Sequence, residues 1–350
     1  MTVEKNLAKY ALFVSFFPQL VAGPIERSKD LLPQLHQKHY FNFNRIKDGL
    51  LLMLWGYFEK VVIADRVAIL VNTVYGDWKN YVGFQIVIAT FFFAVQIYCD
   101  FAGYSHIAKG AAQVLDFKLV DNFAEPYLAT SIHDFWRRWH ISLSTWLKDY
   151  VYITLGGNRC SKIKKYRNIM ITFLISGLWH GANWHFVVWG GLHGIYNAIG
   201  DILKPVRIKL LKLFHVCPES TSFKIGKILM TFAFVNLAWI FFRADSCQVA
   251  ISIIKQMFKE FNVWIFFDRT SLYNMGLDEI EFKIAAVSVI LLYISNIVSY
   301  VKPKITIRSM IENQNLAFKY MVYIIVIFSI LIFGIYGPEY KASNFIYFQF

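Results

Sequence analysis

Four apolar segments, each close to the length of a bilayer span, constrain the fold of this chain more than any other feature. They are residues 82–99, 225–242, 283–301 and 320–336. A helix needs about 20 mostly apolar residues to cross the hydrocarbon core of a membrane. With 57% hydrophobic and 17% charged residues in a length of 350, the chain is also too apolar for a soluble core to bury. The sequence therefore predicts an all-α, polytopic membrane protein. Residues 50–71 are a less regular fifth candidate, because they include four charged side chains.

The basic residues lie in short clusters between the apolar segments. A net charge of +13 could indicate nucleic-acid binding, but this clustering is typical of the cytoplasmic loops of membrane proteins. We therefore expect the lipid bilayer as a partner and no nucleic acid. The clusters at residues 162–167 and 302–308 are predicted to face the cytoplasm, and the mixed-charge stretch 245–281 is predicted to face outward.

Residues 168–200 are apolar and have a basic cluster on each side, so the chain must enter the membrane there and return. Two full crossings need about 40 residues, and this stretch is shorter. The sequence therefore predicts a re-entrant pair of half-helices that turns at the glycine of WHGANW, Gly181. Irregular backbone at membrane depth is tolerated beside a cavity, so we expect the turn to line one.

Residues 131–150 mix tryptophan with arginine and lysine and are too charged to span a membrane. The pattern predicts one interfacial helix, with His133 and His140 on the same face because they are seven residues apart. That face could point into a functional site, or the helix could be an ordinary membrane anchor. Asp100, near the end of an apolar segment, is expected to pair with His106 or Lys109.

The segment at residues 177–194, GLWHGANWHFVVWGGLHG, places His180, His185, His193 and Asn183 among apolar residues. A neutral imidazole there could act as a general base, or it could pack between helices that the glycines allow to approach closely. The histidine spacings of five and eight differ from the three or four that two metal ligands on one helix face prefer, and no metal site is predicted. The four cysteines show no paired spacing.

Five segments, in this order, make the chain resemble the membrane-bound O-acyltransferase family, and within it the bacterial membrane subunits of alginate O-acetyltransferases. They are FVSFFPQLVAGPIERSKDLLPQL, QIYCDFAGYSHIAKG, NFAEPYLATSIHDFWRRWHISLSTWLKDYVYITLGGNR, SGLWHGANWHFVVWGGLHG and FIYFQF. The resemblance covers essentially the whole chain, and the combination of FWRRWHISLSTWL with WHGANW is highly specific.

The resemblance implies a helical bundle around a funnel and an O-acyltransferase activity. His180 aligns with the family histidine of the WHG motif, and His140 aligns with the histidine of RRWHIS, so both are predicted to be catalytic. Asn183, Trp179, Asp100 and Arg137 are expected to bind substrate or to support these histidines.

The resemblance also implies substrates and partners. The acyl donor is expected to be acetyl-coenzyme A on the cytoplasmic side, with no bound cofactor and no metal. The acceptor is expected to be an alginate-like or other cell-surface polysaccharide, esterified through an extracytoplasmic partner of the SGNH-hydrolase type. The location implied is the bacterial cytoplasmic membrane, with several spans.

The chain is interpreted as a single domain over residues 1–350. Family members usually carry further helices before the FFPQLVAGPI segment, which here begins near the N-terminus, and they tend to have Asp where this chain has His106. A polysaccharide or lipid transporter is an alternative, but residues 177–194 contain no acidic side chain for coupling. A non-catalytic scaffold for the external acetyltransferase is another alternative, and an activity assay separates it from an enzyme.

Overall fold

The structure, a computed structural model, describes residues 4–260, 263–303 and 306–336, and the segment FIYFQF lies outside these ranges. The described residues form α-helices with short 3-10 and π stretches, and no strand occurs among them. The all-α prediction is confirmed. The helices are α1 (Leu7–Val14), α2 (Ser28–Leu35), α3 (Phe43–Tyr57), α4 (Asp65–Gly76), α5 (Phe84–Val114), α6 (Ile132–Arg138), α7 (Ile141–Leu147), α8 (Lys162–His180), α9 (Trp184–Ile202), α10 (Lys204–Leu213), α11 (Thr221–Arg243), α12 (Cys247–Met257), α13 (Arg269–Tyr273), α14 (Glu279–Val301), α15 (Ile307–Glu312) and α16 (Leu316–Phe333).

All four predicted spans are helices that are long and apolar enough to cross a membrane, namely α5, α11, α14 and α16. The span in α5 is 83% buried within the protein, whereas that in α16 is only 6% buried. An apolar helix that the protein leaves uncovered needs an apolar solvent, which a bilayer supplies. The fifth candidate, residues 50–71, is helical but distorted, because a π-helical stretch at Phe58–Ala64 separates α3 from α4.

The chain forms two compact units, each assembled from separate parts of the sequence. The first takes in the described residues up to position 68, residues 95–122 and those from 280 onward. The second takes in residues 69–94 and 123–279. The interpretation of residues 1–350 as one domain stays a prediction.

In the first unit, glycines let α3 and α5 approach closely. A methyl group added at Gly56 would lie 2.5 Å from the carbonyl oxygen of Gly103, and one added at Gly110 would lie 2.5 Å from that of Gly49. Gly49 and Gly56 are seven residues apart on α3, and Gly103 and Gly110 are seven residues apart on α5. The two glycines of each helix therefore lie on one face of it. Small residues at such spacing allow backbone contact between helices in a membrane, where no hydrophobic effect drives association.

Asp100 belongs to an ion-pair network of this first unit. Its carboxylate lies 2.5 Å from the ammonium group of Lys60, which also lies 2.8 Å from Asp65. The expected pairing with His106 or Lys109 is wrong, because these two side chains bind other acids. Lys60 reaches Asp100 because the chain that follows α3 packs closely against α5: a methyl group added at Gly103 would lie 3.2 Å from the backbone nitrogen of Lys60.

In the second unit, α8 and α9 form an antiparallel hairpin whose turn lies where the sequence predicted it. Helix α8 ends at His180, and the backbone of Gly181 has φ 156° and ψ 157°, a conformation that essentially only glycine adopts. A hydrogen-bonded ion pair of 2.5 Å joins Lys165 near the start of α8 to Asp201 near the end of α9. The open ends of the hairpin are therefore adjacent, as a chain that enters and returns requires.

The two helices are longer than the half-helices expected from the sequence. Each has 19 residues, and at 1.5 Å per residue each is about 28 Å long, close to the thickness of the hydrocarbon core. The extra length arises because α8 begins six residues before position 168, inside the basic cluster. Neither helix is among the four described helices that are long and apolar enough to cross a membrane. Close packing comes from glycine again, since a methyl group at Gly177 would lie 2.3 Å from the carbonyl oxygen of Phe186.

Candidate active site

The predicted interfacial helix at residues 131–150 is interrupted at Trp139 and His140. Helix α6 ends at Arg138, Trp139 is extended, and His140 has φ 43° and ψ 56° in the left-handed region before α7 begins. The prediction of one continuous helix is therefore wrong, and so is the placement of His133 and His140 on one face. His133 is exposed, whereas His140 is 4% exposed.

Several hydrogen bonds hold this interruption in place. The Arg138 carbonyl accepts from the backbone N–H of Ala124 at 3.0 Å, and the Arg138 guanidinium donates to the Ala124 carbonyl at 3.1 Å. Asp134 accepts from the same guanidinium at 3.0 Å. The hydroxyl of Ser144 donates to the Trp139 carbonyl at 3.1 Å. The carbonyls that a broken helix would leave unpaired are thus satisfied, and the break is a built feature of the fold.

His140 is both strained and buried. A left-handed backbone at a residue other than glycine costs roughly 1–2 kcal/mol, and such strain concentrates at functional sites. Burial lowers the pKa of His140 well below its usual range, and the nearby imidazole of His180 lowers that pKa further. His140 is therefore a neutral imidazole at working pH, able to accept or donate a proton but not to carry a charge cheaply.

His180 is the last residue of α8 and lies beside the turn. Its ring meets Trp189 and Phe242 edge-on, with a centroid distance of 5.2 Å to each. Trp189 stacks on Trp239 at 5.6 Å, and Trp239 in turn lies 5.1 Å from Trp139, the neighbour of His140. The structure thus brings together the two histidines predicted to be catalytic, within electrostatic reach of each other and connected by an aromatic cluster.

The other two histidines of the hairpin have partners in the protein. His185 is 7% exposed, and its Nδ1 atom lies 3.2 Å from the carbonyl oxygen of Phe241. His193 is fully buried, and its Nδ1 atom accepts a hydrogen bond of 3.1 Å from the indole N–H of Trp136. His185 and His193 therefore pack between helices in the structure, which is the alternative to a general base that the sequence left open.

The four predicted supporting residues fall in different places. Asn183 and Trp179 flank the turn and are exposed, and the Trp179 ring lies 6.0 Å from that of Trp146. Arg137 is exposed on α6. Asp100 belongs to the first unit, where it is buried beside Lys60. A role for these four residues at the site stays a prediction.

The sequence interpretation missed the aromatic wall around the histidines, above all Trp189 and Phe242. A signal was present for Trp189. His185, Trp189 and His193 are four residues apart, which places all three on one face of a helix, and all three are buried. Phe242 lies on α11, far away in sequence, and no local spacing indicates that it reaches His180.

Comparison with known proteins gives consistent similarities. The sequence profile of the membrane-bound O-acyltransferase family matches residues 4–207. The chain is 44% identical over 250 residues to a peptidoglycan O-acetyltransferase of Helicobacter pylori, covering 71% of this chain and 46% of that protein. It is 39% identical over 259 residues to a probable alginate O-acetylase of Pseudomonas aeruginosa, covering 74% of this chain and 47% of that protein.

A more distant similarity links the chain to another acyl transfer. It is 26% identical over 257 residues to a teichoic acid D-alanyltransferase of Bacillus subtilis, covering 67% of this chain and 61% of that protein. The chain spans about half the length of the two O-acetylating relatives that it matches.

Proposed function

The chain belongs to the membrane-bound O-acyltransferase family, and we propose that it transfers acetyl groups for the O-acetylation of a cell-surface polysaccharide. The observation that carries the proposal is the meeting of His140 and His180. They come from two family motifs 40 residues apart in sequence, and in the structure the packed rings of Trp139, Trp239 and Trp189 connect them. Functional histidines in an aromatic, largely apolar surrounding suit a reaction that must exclude water.

In the proposed reaction, His180 is the general base. It takes the proton from an acceptor hydroxyl as the hydroxyl oxygen attacks the carbonyl carbon of an acetyl thioester. The carbon–sulfur bond breaks, an ester forms, and the departing thiolate receives the proton from His180. The free thiol and the acetyl ester are the two products, so the histidine ends in its starting state. His140 positions the donor or the acceptor by hydrogen bonding.

The proposed donor is acetyl-coenzyme A from the cytoplasm, and the proposed acceptor lies on the outer side of the bacterial cytoplasmic membrane, which the chain crosses several times. The four span-length apolar helices support a membrane location. The names of the two similar O-acetylating proteins support an acetyl group and a glycan acceptor. An SGNH-hydrolase-type partner outside the membrane would complete the transfer to the polysaccharide.

Inside-out membrane vesicles test this proposal, because their cytoplasmic face is outward. Vesicles that contain the protein and its external partner are given acetyl-coenzyme A with a radiolabelled acetyl group. We expect release of free coenzyme A outside, together with ester-linked label on glycan inside. Release without any lumenal ester would contradict transfer across the membrane. A non-catalytic scaffold would release no coenzyme A, and that result would contradict the enzyme itself.

A further inference from the structure

The hydrogen bond between Trp136 and His193 connects the two parts of the site. Trp136 lies on α6, four residues before His140, and its ring also contacts Phe173 of α8 at 5.2 Å and Trp189 of α9 at 5.7 Å. His193 lies on α9, in the hairpin whose turn follows His180. One side chain of α6 is thereby anchored to both helices of the hairpin.

The direction of this bond fixes the state of His193. An indole nitrogen can only donate, so the Nδ1 atom of His193 must accept and carries no proton. The neutral imidazole therefore has its proton on Nε2. A doubly protonated ring would lose the bond from Trp136, and it would be a buried charge in a cage of aromatic rings.

The anchor acts where the backbone is under strain. The left-handed conformation of His140 follows α6 directly, and a strained residue keeps its position only when its surroundings over-determine it. The bonds of Arg138 fix the end of α6 to Ala124, and the Trp136–His193 bond fixes α6 to the hairpin. Because Trp189 contacts both His180 and His193 at 5.2 Å, the anchor lies one side chain away from the predicted base.

We propose that His193 is a positioning residue for the acetyl transfer. It accepts the indole N–H of Trp136 and thereby sets the distance between the segment that carries His140 and the hairpin that carries His180. This inference rests on the proposed function. A positioning role uses the Nδ1 atom of His193 as a hydrogen-bond acceptor, whereas a catalytic role would use its Nε2 atom for proton transfer.

Two variants of His193 separate these roles. In His193→Asn the amide oxygen lies near the former Nδ1 position and can still accept from Trp136, whereas in His193→Gln the amide lies near the former Nε2 position. We expect His193→Asn to keep most of the wild-type kcat. A misplacement of about 1 Å can cost on the order of 100-fold, so we expect His193→Gln to lose roughly 10- to 100-fold in kcat with little change in KM. A His193→Gln enzyme more active than His193→Asn would overturn the proposal.

A double-mutant cycle tests the bond itself. We expect Trp136→Phe and His193→Phe each to lower kcat at normal membrane abundance, and the double variant to be no worse than the worse single variant. Trp184→Phe is the matched control, because Trp184 lies on the same hairpin but is 77% exposed, and it should keep its activity. Losses that multiply in the double variant would show that the two residues act independently, against the proposal.

A measurement without turnover distinguishes this proposal from the proposed function. In protein labelled with nitrogen-15 in its histidines, solid-state NMR should show a neutral His193 with an unprotonated Nδ1, whose signal shifts in Trp136→Phe. A proton on Nδ1 would overturn the anchor even if acetyl transfer is observed. If the spectrum is as expected but the protein transfers no acetyl group, the proposed function is contradicted while the Trp136–His193 hydrogen bond is supported.

Discussion

At the scale of single residues, His140 combines three costs that a merely structural residue would avoid. Its backbone is left-handed, its imidazole is buried, and a second imidazole lies within electrostatic reach. Gly would adopt the same backbone with less strain. We therefore predict that the proposed transfer requires the imidazole of His140 and not its backbone conformation.

Substitutions at His140 should separate the backbone from the chemistry. His140→Gly relieves the left-handed strain of roughly 1–2 kcal/mol, so it should insert normally and keep its thermal stability while acetyl transfer falls sharply. His140→Val places a β-branched residue in a conformation that it tolerates poorly, and its melting temperature in detergent should drop. Thermal unfolding followed by tryptophan fluorescence, with acetyl transfer on the same samples, checks both. An active His140→Gly would contradict a role for the imidazole.

At the scale of helices, glycine spacing decides how α8 and α9 pack. A methyl group at Gly177 would lie 2.3 Å from a backbone oxygen of α9, which cannot rotate away, whereas one at Gly200 meets nothing within 4 Å. Gly177→Ala should therefore force the helices apart, lower the melting temperature and reduce acetyl transfer. Gly200→Ala should be neutral or slightly stabilising, since Ala in a helix interior is favoured over Gly by about 1 kcal/mol. Equal melting temperatures for the two variants would contradict the close packing.

The helices also show how far the sequence could predict the site. The turn at Gly181 was predictable, because glycine and the flanking basic clusters mark it. The break at Trp139 was not, because residues 131–150 contain neither proline nor glycine. The break depends on the hydrogen bonds between Arg138 and Ala124, which are 14 residues apart, and on the packing of Trp139 against Trp239. No local sequence pattern encodes these contacts.

At the scale of the whole molecule, the four predicted spans were recovered because length and apolar content are local properties. The partner of Asp100 was not, because Lys60 reaches it from a helix distorted by a π-helical stretch, 40 residues away in sequence. Ion pairs between distant helices depend on helix packing, which the sequence alone does not specify. Orientation in the membrane, in contrast, is a prediction that rests on the basic clusters alone.

Cysteine labelling tests that orientation. Cys217 is exposed and lies in the basic stretch after α9, so an impermeant thiol reagent should modify it only after cells are permeabilised. In a background without the natural cysteines, Ser161→Cys should behave in the same way, whereas Lys259→Cys in the mixed-charge stretch should react in intact cells. Labelling of Ser161→Cys from outside intact cells would reverse the predicted topology.

The most direct test of the central claim compares two histidines of the same hairpin. Purified protein with its external partner in liposomes is assayed for transfer of radiolabelled acetyl from acetyl-coenzyme A to glycan, at matched protein abundance. Loss of a general base typically costs about 100- to 10,000-fold in rate, so His180→Gln should fall by that amount. His185→Gln should remain within a few-fold of the wild type, because His185 makes one hydrogen bond to the backbone carbonyl of Phe241 and takes no part in the proposed chemistry. A His180→Gln enzyme that matches His185→Gln in rate would contradict the assignment of His180 as the base.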